Sequence, residues 1–201
     1  MTTSPERNTA VRTFSVKPAL TMRGRTNKGL RGLAGKPFHP PLTDIPIGAY
    51  VLAAVLDVVS ASGRNHHGAW PHEMWHAATF VLIGGAAVSV FAALTGLVDW
   101  ARSTEKGTQA RRTANTHAAV MIFVTLLVLA DIAWRLSVYD DATTPVGVAV
   151  LTAVIAVLVG VGATFGGSLV FDYGFNVETA GDSPVWHVSE VDVLPGEKSS
   201  G

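Results

Sequence analysis

The 201-residue sequence contains no cysteine. It therefore cannot form a disulfide, bind zinc through thiolates or hold an iron–sulfur cluster through cysteine. Charged side chains are also scarce, at 15% of the residues, and 15 Lys and Arg are balanced by 15 Asp and Glu. Because the chain has no net charge, nothing in its composition indicates nucleic acid or a strongly charged substrate as a partner.

Apolar residues are abundant instead, at 48% of the chain, with a mean hydropathy of +0.34. They gather in four segments that we place at 43–62, 74–98, 116–138 and 144–171. A helix needs about 20 residues to cross the hydrocarbon layer of a membrane, and each segment is long enough. A helix of a soluble bundle would carry a polar stripe, which these segments lack. The predicted fold class is therefore all-α, a four-helix transmembrane bundle in contact with the lipid bilayer.

The flanking regions are polar. Residues 1–36 are predicted to form a disordered basic N-terminal arm, residues 37–175 the transmembrane domain, and residues 176–201 a polar C-terminal tail. Residues 1–37 contain no apolar run typical of a cleaved signal peptide, so we expect the first hydrophobic helix to direct insertion.

The distribution of basic residues predicts the orientation. Residues 1–42 carry eight Lys or Arg against one acid, and the loop 99–115 carries four more basic residues. The loop 139–143 has two acids and no basic residue. Since positively charged loops stay in the cytoplasm, we expect a multi-pass protein of the cell membrane with both termini cytoplasmic.

The first helix follows a proline-rich entry. Thr43 or Asp44 is predicted to cap its N-terminus, and Pro46 suits the first turn because its missing N–H would have no partner there. We therefore expect the helix to begin at about Thr43, with His39 close to the point of entry.

Ionisable side chains inside apolar helices are costly, so each is a functional hypothesis. By depth they form one layer near the predicted cytoplasmic side and a second near the opposite side. Five of them are predicted to be buried acids: Asp44, Asp57, Asp99, Asp131 and Asp172.

His117 is the strongest candidate for chemistry. It lies about one turn inside the third helix. Asp131 follows 14 residues later, and at about 100° per residue the two side chains differ by only about 40° around the helix axis, so they share one face. A neutral imidazole there can ligate haem iron, with His39 as the second ligand. The alternative is a structural histidine that pairs with an acid of its layer, namely Asp44, Asp99 or Asp172.

A second motif is His72-Glu73-Met74-Trp75-His76. It fits the H-E-x-x-H pattern, in which two histidines one helical turn apart bind zinc and the glutamate activates water. No residue is singled out as the third ligand. The alternative interpretation is a set of interfacial side chains beside Trp75, and zinc is not the expected cofactor.

Two other features have structural and functional interpretations. Asp57 and Asp131 are expected to pair with His76 or Arg135, and a proton path is the alternative. The run from Gly162 to Gly166 is expected to allow close helix packing, and the approach of a flat cofactor is the alternative.

Four motifs in order resemble the family of predicted membrane proteins called domain of unknown function 2231. They are Phe38-His39-Pro40-Pro41-Leu42-Thr43-Asp44-Ile45-Pro46-Ile47-Gly48, Leu94-Thr95-Gly96-Leu97-Val98-Asp99-Trp100, Arg111-Arg112 before His117, and Gly166-Gly167-Ser168-Leu169-Val170. The resemblance covers residues 36–176 and implies a four-helix membrane domain for which redox roles are suspected.

Some actinobacterial-type members of that family carry a C-terminal Rieske iron–sulfur domain. The stretch from Val185 to Gly196 resembles the lead-in to such a domain, but a chain without cysteine cannot hold its cluster. Relatives often have histidine where this chain has Ser168, so the resemblance supplies no second ligand for His117 at that position.

Three functions follow as expectations. The first is a structural or accessory subunit of a membrane assembly. The resemblance implies that this assembly is a redox assembly and that the partner is another membrane redox protein. The second is a b-type haem electron-transfer protein that uses His117 and His39. The third is a membrane zinc hydrolase that uses His72, Glu73 and His76.

Overall fold

Four long helices dominate the computed structural model of the protein, which describes residues 17–178. All four are long and apolar enough to cross a membrane, which confirms the predicted four-helix transmembrane class. Among the described residues there is no strand beyond one isolated bridge between Arg31 and Pro37. In chain order the helices are α1 (Lys17–Leu20), α2 (His39–Ser62), α3 (Trp70–Ser103), α4 (Gln109–Ser137) and α5 (Val146–Phe171), with a 3-10 turn at Leu33–Gly35.

The start of α2 differs from the prediction. The helix begins at His39, and Pro40 and Pro41 occupy its first turn without any side-chain cap. The Thr43 hydroxyl instead donates back to the Pro40 carbonyl at 2.7 Å. Pro46 consequently lies inside the helix. The capping prediction is wrong because prolines already suit a first turn, where their missing N–H groups need no partner.

The four long helices form a ring. Helix α2 packs against α3 and α5, and α4 packs against α5 and, less extensively, against α3. Helices α2 and α4 therefore lie diagonally opposite each other. Both run in the same direction, since each is separated from the other by one intervening helix of opposite direction. Side chains that bridge α2 and α4 must accordingly meet at the centre of the bundle.

The middle of the bundle is apolar on both its inner and outer surfaces. Large apolar side chains such as Phe80, Phe91 and Ile122 are exposed on the outside, as expected where lipid is the solvent. A continuous buried cluster fills the inside, and it comprises Tyr50, Ala53, Leu82, Val124, Val128, Ile155 and Val159.

One end of the bundle is covered by a segment that we name the cap, residues 26–36. It was predicted as part of a disordered arm, but the Leu30 N–H donates to the Asp99 carboxylate at 3.0 Å. The Thr26 hydroxyl donates to Glu178 at 2.7 Å, so the segments at both ends of the described chain meet here. The buried acid orders the cap by accepting a backbone hydrogen bond. Residues 1–16 and 179–201, predicted as arm and tail, lie outside the described residues.

Candidate functional site

Two polar layers lie on the inner faces of the diagonal helices. His39 and Asp57 are separated by 18 residues on α2, and His117 and Arg135 are separated by 18 residues on α4. At about 3.6 residues per turn this is five whole turns, so each pair shares one helix face, about 27 Å apart along the axis. We name His39 with His117 the histidine layer. We name Asp57, Asp131 and Arg135 the arginine layer.

The histidine layer joins two imidazoles across the bundle. The ring centroids are 6.4 Å apart and the ring planes are inclined by 80°. Nδ1 of His39 lies 2.8 Å from the Ala92 carbonyl oxygen, and Nδ1 of His117 lies 2.8 Å from the Gly162 carbonyl oxygen. A carbonyl oxygen can only accept, so both Nδ1 atoms carry the hydrogen. In each neutral ring the lone pair therefore resides on Nε2.

Glycines adjoin both imidazoles. A Cβ added at Gly96 would come within 2.7 Å of Cε1 of His39, and one at Gly166 within 3.3 Å of Cε1 of His117. A Cβ at Gly162 would meet the Met121 sulfur at 2.5 Å. The predicted close approach at the glycines of α5 is therefore present, and it places backbone directly beside the His117 ring.

The acids predicted for this layer behave differently from one another. Asp99 is 4% exposed and is held by the cap, whereas Asp44 and Asp172 are exposed. The prediction of burial is wrong for these two because Asp44 lies on an open side of α2 and Asp172 is the C-cap residue of α5. The His117 ring donates to the Gly162 carbonyl. Among the described residues, no hydrogen bond joins this ring to Asp44, Asp99 or Asp172, which were its predicted partners.

The arginine layer brings all four helices together. Arg135 donates from Nε to Asp131 at 3.0 Å and from Nη1 to Asp57 at 3.1 Å, and its Nη2 is paired with the second Asp57 oxygen. Its other polar contacts are the hydroxyls of Thr152 at 2.7 Å and Thr79 at 3.4 Å. All three ionisable side chains have no exposed surface. Of the two predicted partners of the acids, Arg135 is confirmed.

Sequence reasoning missed the hydroxyl and aromatic residues around this layer. The Trp75 ring lies 5.0 Å from the guanidinium carbon of Arg135, and its Nε1 donates to the Tyr139 carbonyl at 3.0 Å. The Thr144 hydroxyl donates to Asp57 at 3.1 Å. In this layer the sequence pointed to Arg135 and not to its neutral neighbours; Arg135 lies level with Asp57 because each is 18 residues from the histidine of its own helix.

The H-E-x-x-H residues lie in the first turns of α3. The His72 and His76 rings are 4.0 Å apart, and His76 stacks on Tyr139 with centroids 4.2 Å apart. Nε2 of His76 is 3.2 Å from the Tyr139 carbonyl oxygen, and Glu73 is exposed. Within residues 17–178 no group of three or more acidic or histidine side chains is placed to hold a metal ion. The hydrogen bond and the stacking make His76 part of the helix-end packing.

The four helices are long enough to cross a membrane, their outer surface is apolar, and their polar side chains form two layers inside the bundle. These features together define a multi-pass membrane protein. The sequence also matches the family of predicted membrane proteins with domain of unknown function 2231 (DUF2231) over residues 35–179. The chain belongs to this family. No curated protein and no solved structure shows a significant match to the chain.

Proposed function

We propose that the protein is an electron-carrying accessory subunit of a membrane redox assembly, and that it binds one b-type haem through His39 and His117. The single observation that carries this proposal is the geometry of the histidine layer. Two imidazoles from diagonal helices meet at the bundle centre, each with its ring orientation fixed by a backbone carbonyl.

The separation of the rings would let one prosthetic group be held by both histidines. The ring centroids are 6.4 Å apart, and the two rings come from helices on opposite sides of the bundle. His39 and His117 would hold the group between α2 and α4, each through its second ring nitrogen.

The hydrogen bonds of the rings also suit ligation. A metal-binding histidine usually donates its second ring N–H to a carbonyl or carboxylate, which fixes its tautomer and raises its basicity. Ala92 and Gly162 provide such carbonyls here. Gly96 and Gly166 let the two rings pack directly against the backbone of α3 and α5. The residues present fit haem through their donor set, two imidazoles whose tautomers are fixed by backbone carbonyls.

The small number of protein ligands favours haem over a bare metal ion. A protein site for zinc generally supplies three or four side chains, whereas haem can be held by one or two histidines because the porphyrin already coordinates the iron. The histidine layer supplies two, and no third ligand group accompanies them among the described residues. When bound, haem would provide a one-electron redox couple, and the chain would position it and exclude water from it.

The proposal includes the site of action. The basic residues of the arm and of the α3–α4 loop favour a cytoplasmic location for that end of the bundle, and hence for the histidine layer. An even number of crossings puts both ends of the chain on one side, which is consistent with the contact between Thr26 and Glu178. The electron partner would be another membrane redox protein that reaches the haem from this side.

Absorption spectroscopy and haem analysis of the gently solubilised protein test this proposal. We expect a reduced-minus-oxidised spectrum of b-type haem at one haem per chain, lost in His39→Ala and in His117→Ala. His72→Ala is the matched control, because it removes a histidine outside the layer and should keep the spectrum. A colourless preparation that does not take up added haem would refute the proposal.

A further inference from the structure

The arginine layer contains an unbalanced charge if both of its acids are ionised. Asp57, Asp131 and Arg135 are completely buried, and their formal charges then sum to one negative charge. An uncompensated charge that is completely buried inside a membrane protein costs several kcal/mol of free energy. The layer therefore needs one further positive charge, and a proton or a cation must supply it.

Arg135 has no hydrogen-bond capacity left to provide that compensation. A guanidinium has five N–H donors. Its contacts are one to Asp131, two to Asp57 and one each to the hydroxyls of Thr79 and Thr152. All five donors are thus directed at oxygen atoms. If both acids were ionised, they would share the single positive charge of Arg135, whose N–H donors are all in use.

The hydrogen bonds distinguish the two acids. The Asp57 carboxylate accepts from two nitrogens of Arg135 and from the Thr144 hydroxyl. Asp131 accepts a single N–H from Arg135 through Oδ1. Asp57 is therefore the principal partner of the guanidinium.

The surroundings of the other Asp131 oxygen suit a carboxylic acid. Oδ2 lies 3.0 Å from the Thr152 hydroxyl oxygen, which also lies 2.9 Å from the Val148 carbonyl oxygen. The hydroxyl has one hydrogen for these two acceptors. If Oδ2 carries a proton, it donates to Thr152 and Thr152 donates to Val148. Each oxygen pair then contains one hydrogen.

We propose that Asp131 is a proton-binding site and that it holds one proton in the resting protein, so that the arginine layer is neutral. The groups that face it are Asp57 from α2, Arg135 from its own helix, Thr79 with Trp75 from α3, and Thr152 from α5. Asp57 and Arg135 are the charged ones among them. Release would break the Asp131 O–H bond, form an O–H bond to a water molecule that takes up the proton, and leave the layer with one negative charge. Thr144, in the α4–α5 loop, is fully buried, and its hydroxyl donates to Asp57.

Infrared spectroscopy of the purified protein tests this proposal directly. We expect a C=O stretching band of a protonated carboxylic acid at neutral pH, shifted in heavy water and lost in Asp131→Asn. Absence of the band in the wild type, or its persistence in Asp131→Asn, would overturn the proposal. A sodium-dependent unfolding temperature without the band would show that a cation compensates the charge instead.

Thermal unfolding of two amide variants provides a second test. Asparagine copies the shape and hydrogen bonds of a neutral aspartic acid, so Asp131→Asn should unfold close to the wild-type temperature. Asp57→Asn removes the principal partner of Arg135 and should lower the unfolding temperature by about 10 °C. Equal losses in both variants, or a larger loss in Asp131→Asn, would contradict the assignment. The wild-type spectrum decides the question even if Asp57→Asn does not fold.

Discussion

If the histidine layer binds haem as proposed, replacement of Gly96 by alanine should weaken that binding strongly. The new Cβ would lie 2.7 Å from Cε1, 3.0 Å from Nδ1 and 3.2 Å from Nε2 of His39, where ordinary contacts begin at 3.4 Å. The ring must then move by about 0.7 Å. A movement of this size would distort the 2.8 Å hydrogen bond between His39 and the Ala92 carbonyl. Displacing an axial ligand this far should weaken haem binding by at least about 10–100-fold, the effect of losing a supporting residue at a metal site.

Gly84→Ala is the matched control for this substitution. Both glycines lie in α3, but a Cβ at Gly84 meets nothing within 4 Å. The control should bind haem like the wild type and gain up to about 1 kcal/mol in helix propensity. The assay is a titration of each purified apoprotein with haem, followed by absorbance, with the unfolding temperature measured in parallel. If Gly96→Ala and Gly84→Ala bind haem equally well, His39 is not an axial ligand held in place by its contact with Gly96.

Three further predictions concern the rest of the bundle. Arg135→Ala removes the guanidinium that is paired with Asp57 and hydrogen-bonded to Asp131, and it should cost about 3–5 kcal/mol of unfolding free energy in denaturant titration. Arg111→Ala at a helix end should cost at most about 1 kcal/mol in the same assay, and equal losses would contradict the central role of Arg135. Trp75→Phe removes one N–H donor and leaves a cavity where the larger ring was buried, so it should cost at least about 1 kcal/mol in the same assay. An unchanged stability would contradict that bond. Partial burial raises the pKa of Glu178, but hydrogen bonds from the side chain and backbone of Thr26 lower it below its ordinary value overall. The contact between Glu178 and Thr26 therefore contributes stability above the unfolded pKa of Glu178, and this stability is lost as pH falls through the lowered folded pKa. Amide hydrogen exchange at Thr26 should accelerate over this pH range by more than the intrinsic exchange rate changes. An exchange rate that follows only the intrinsic chemistry would refute this.

The membrane class and the four helices were predictable because they depend on hydropathy and length, which are local properties of the sequence. The joint placement of His39 and His117 was predictable as well, because depth in the membrane follows from distance to the helix ends. The start of α2 was not, since two prolines made a side-chain cap unnecessary four residues before Thr43.

The cap could not be predicted, because it depends on contacts between residues far apart in the sequence. Leu30 bonds to Asp99 across 69 positions, and a Cβ at Gly29 would lie only 2.0 Å from the Asp99 carboxylate. Nothing in a basic, glycine-containing stretch distinguishes this docking from a solvated arm. The burial of Asp99 was predicted from its helix, but its partner lay in a segment without periodicity.

The equal separation of the two layers limits where the chain can change in length. One residue inserted between His39 and Asp57 would rotate one of them by about 100° and shift it by about 1.5 Å, so it would face lipid or a neighbouring helix. The same holds for α4, and a compensating insertion there would not restore either orientation. Relatives that keep both layers should therefore differ in length in their loops and termini, while α2 and α4 keep the same number of residues between their polar positions.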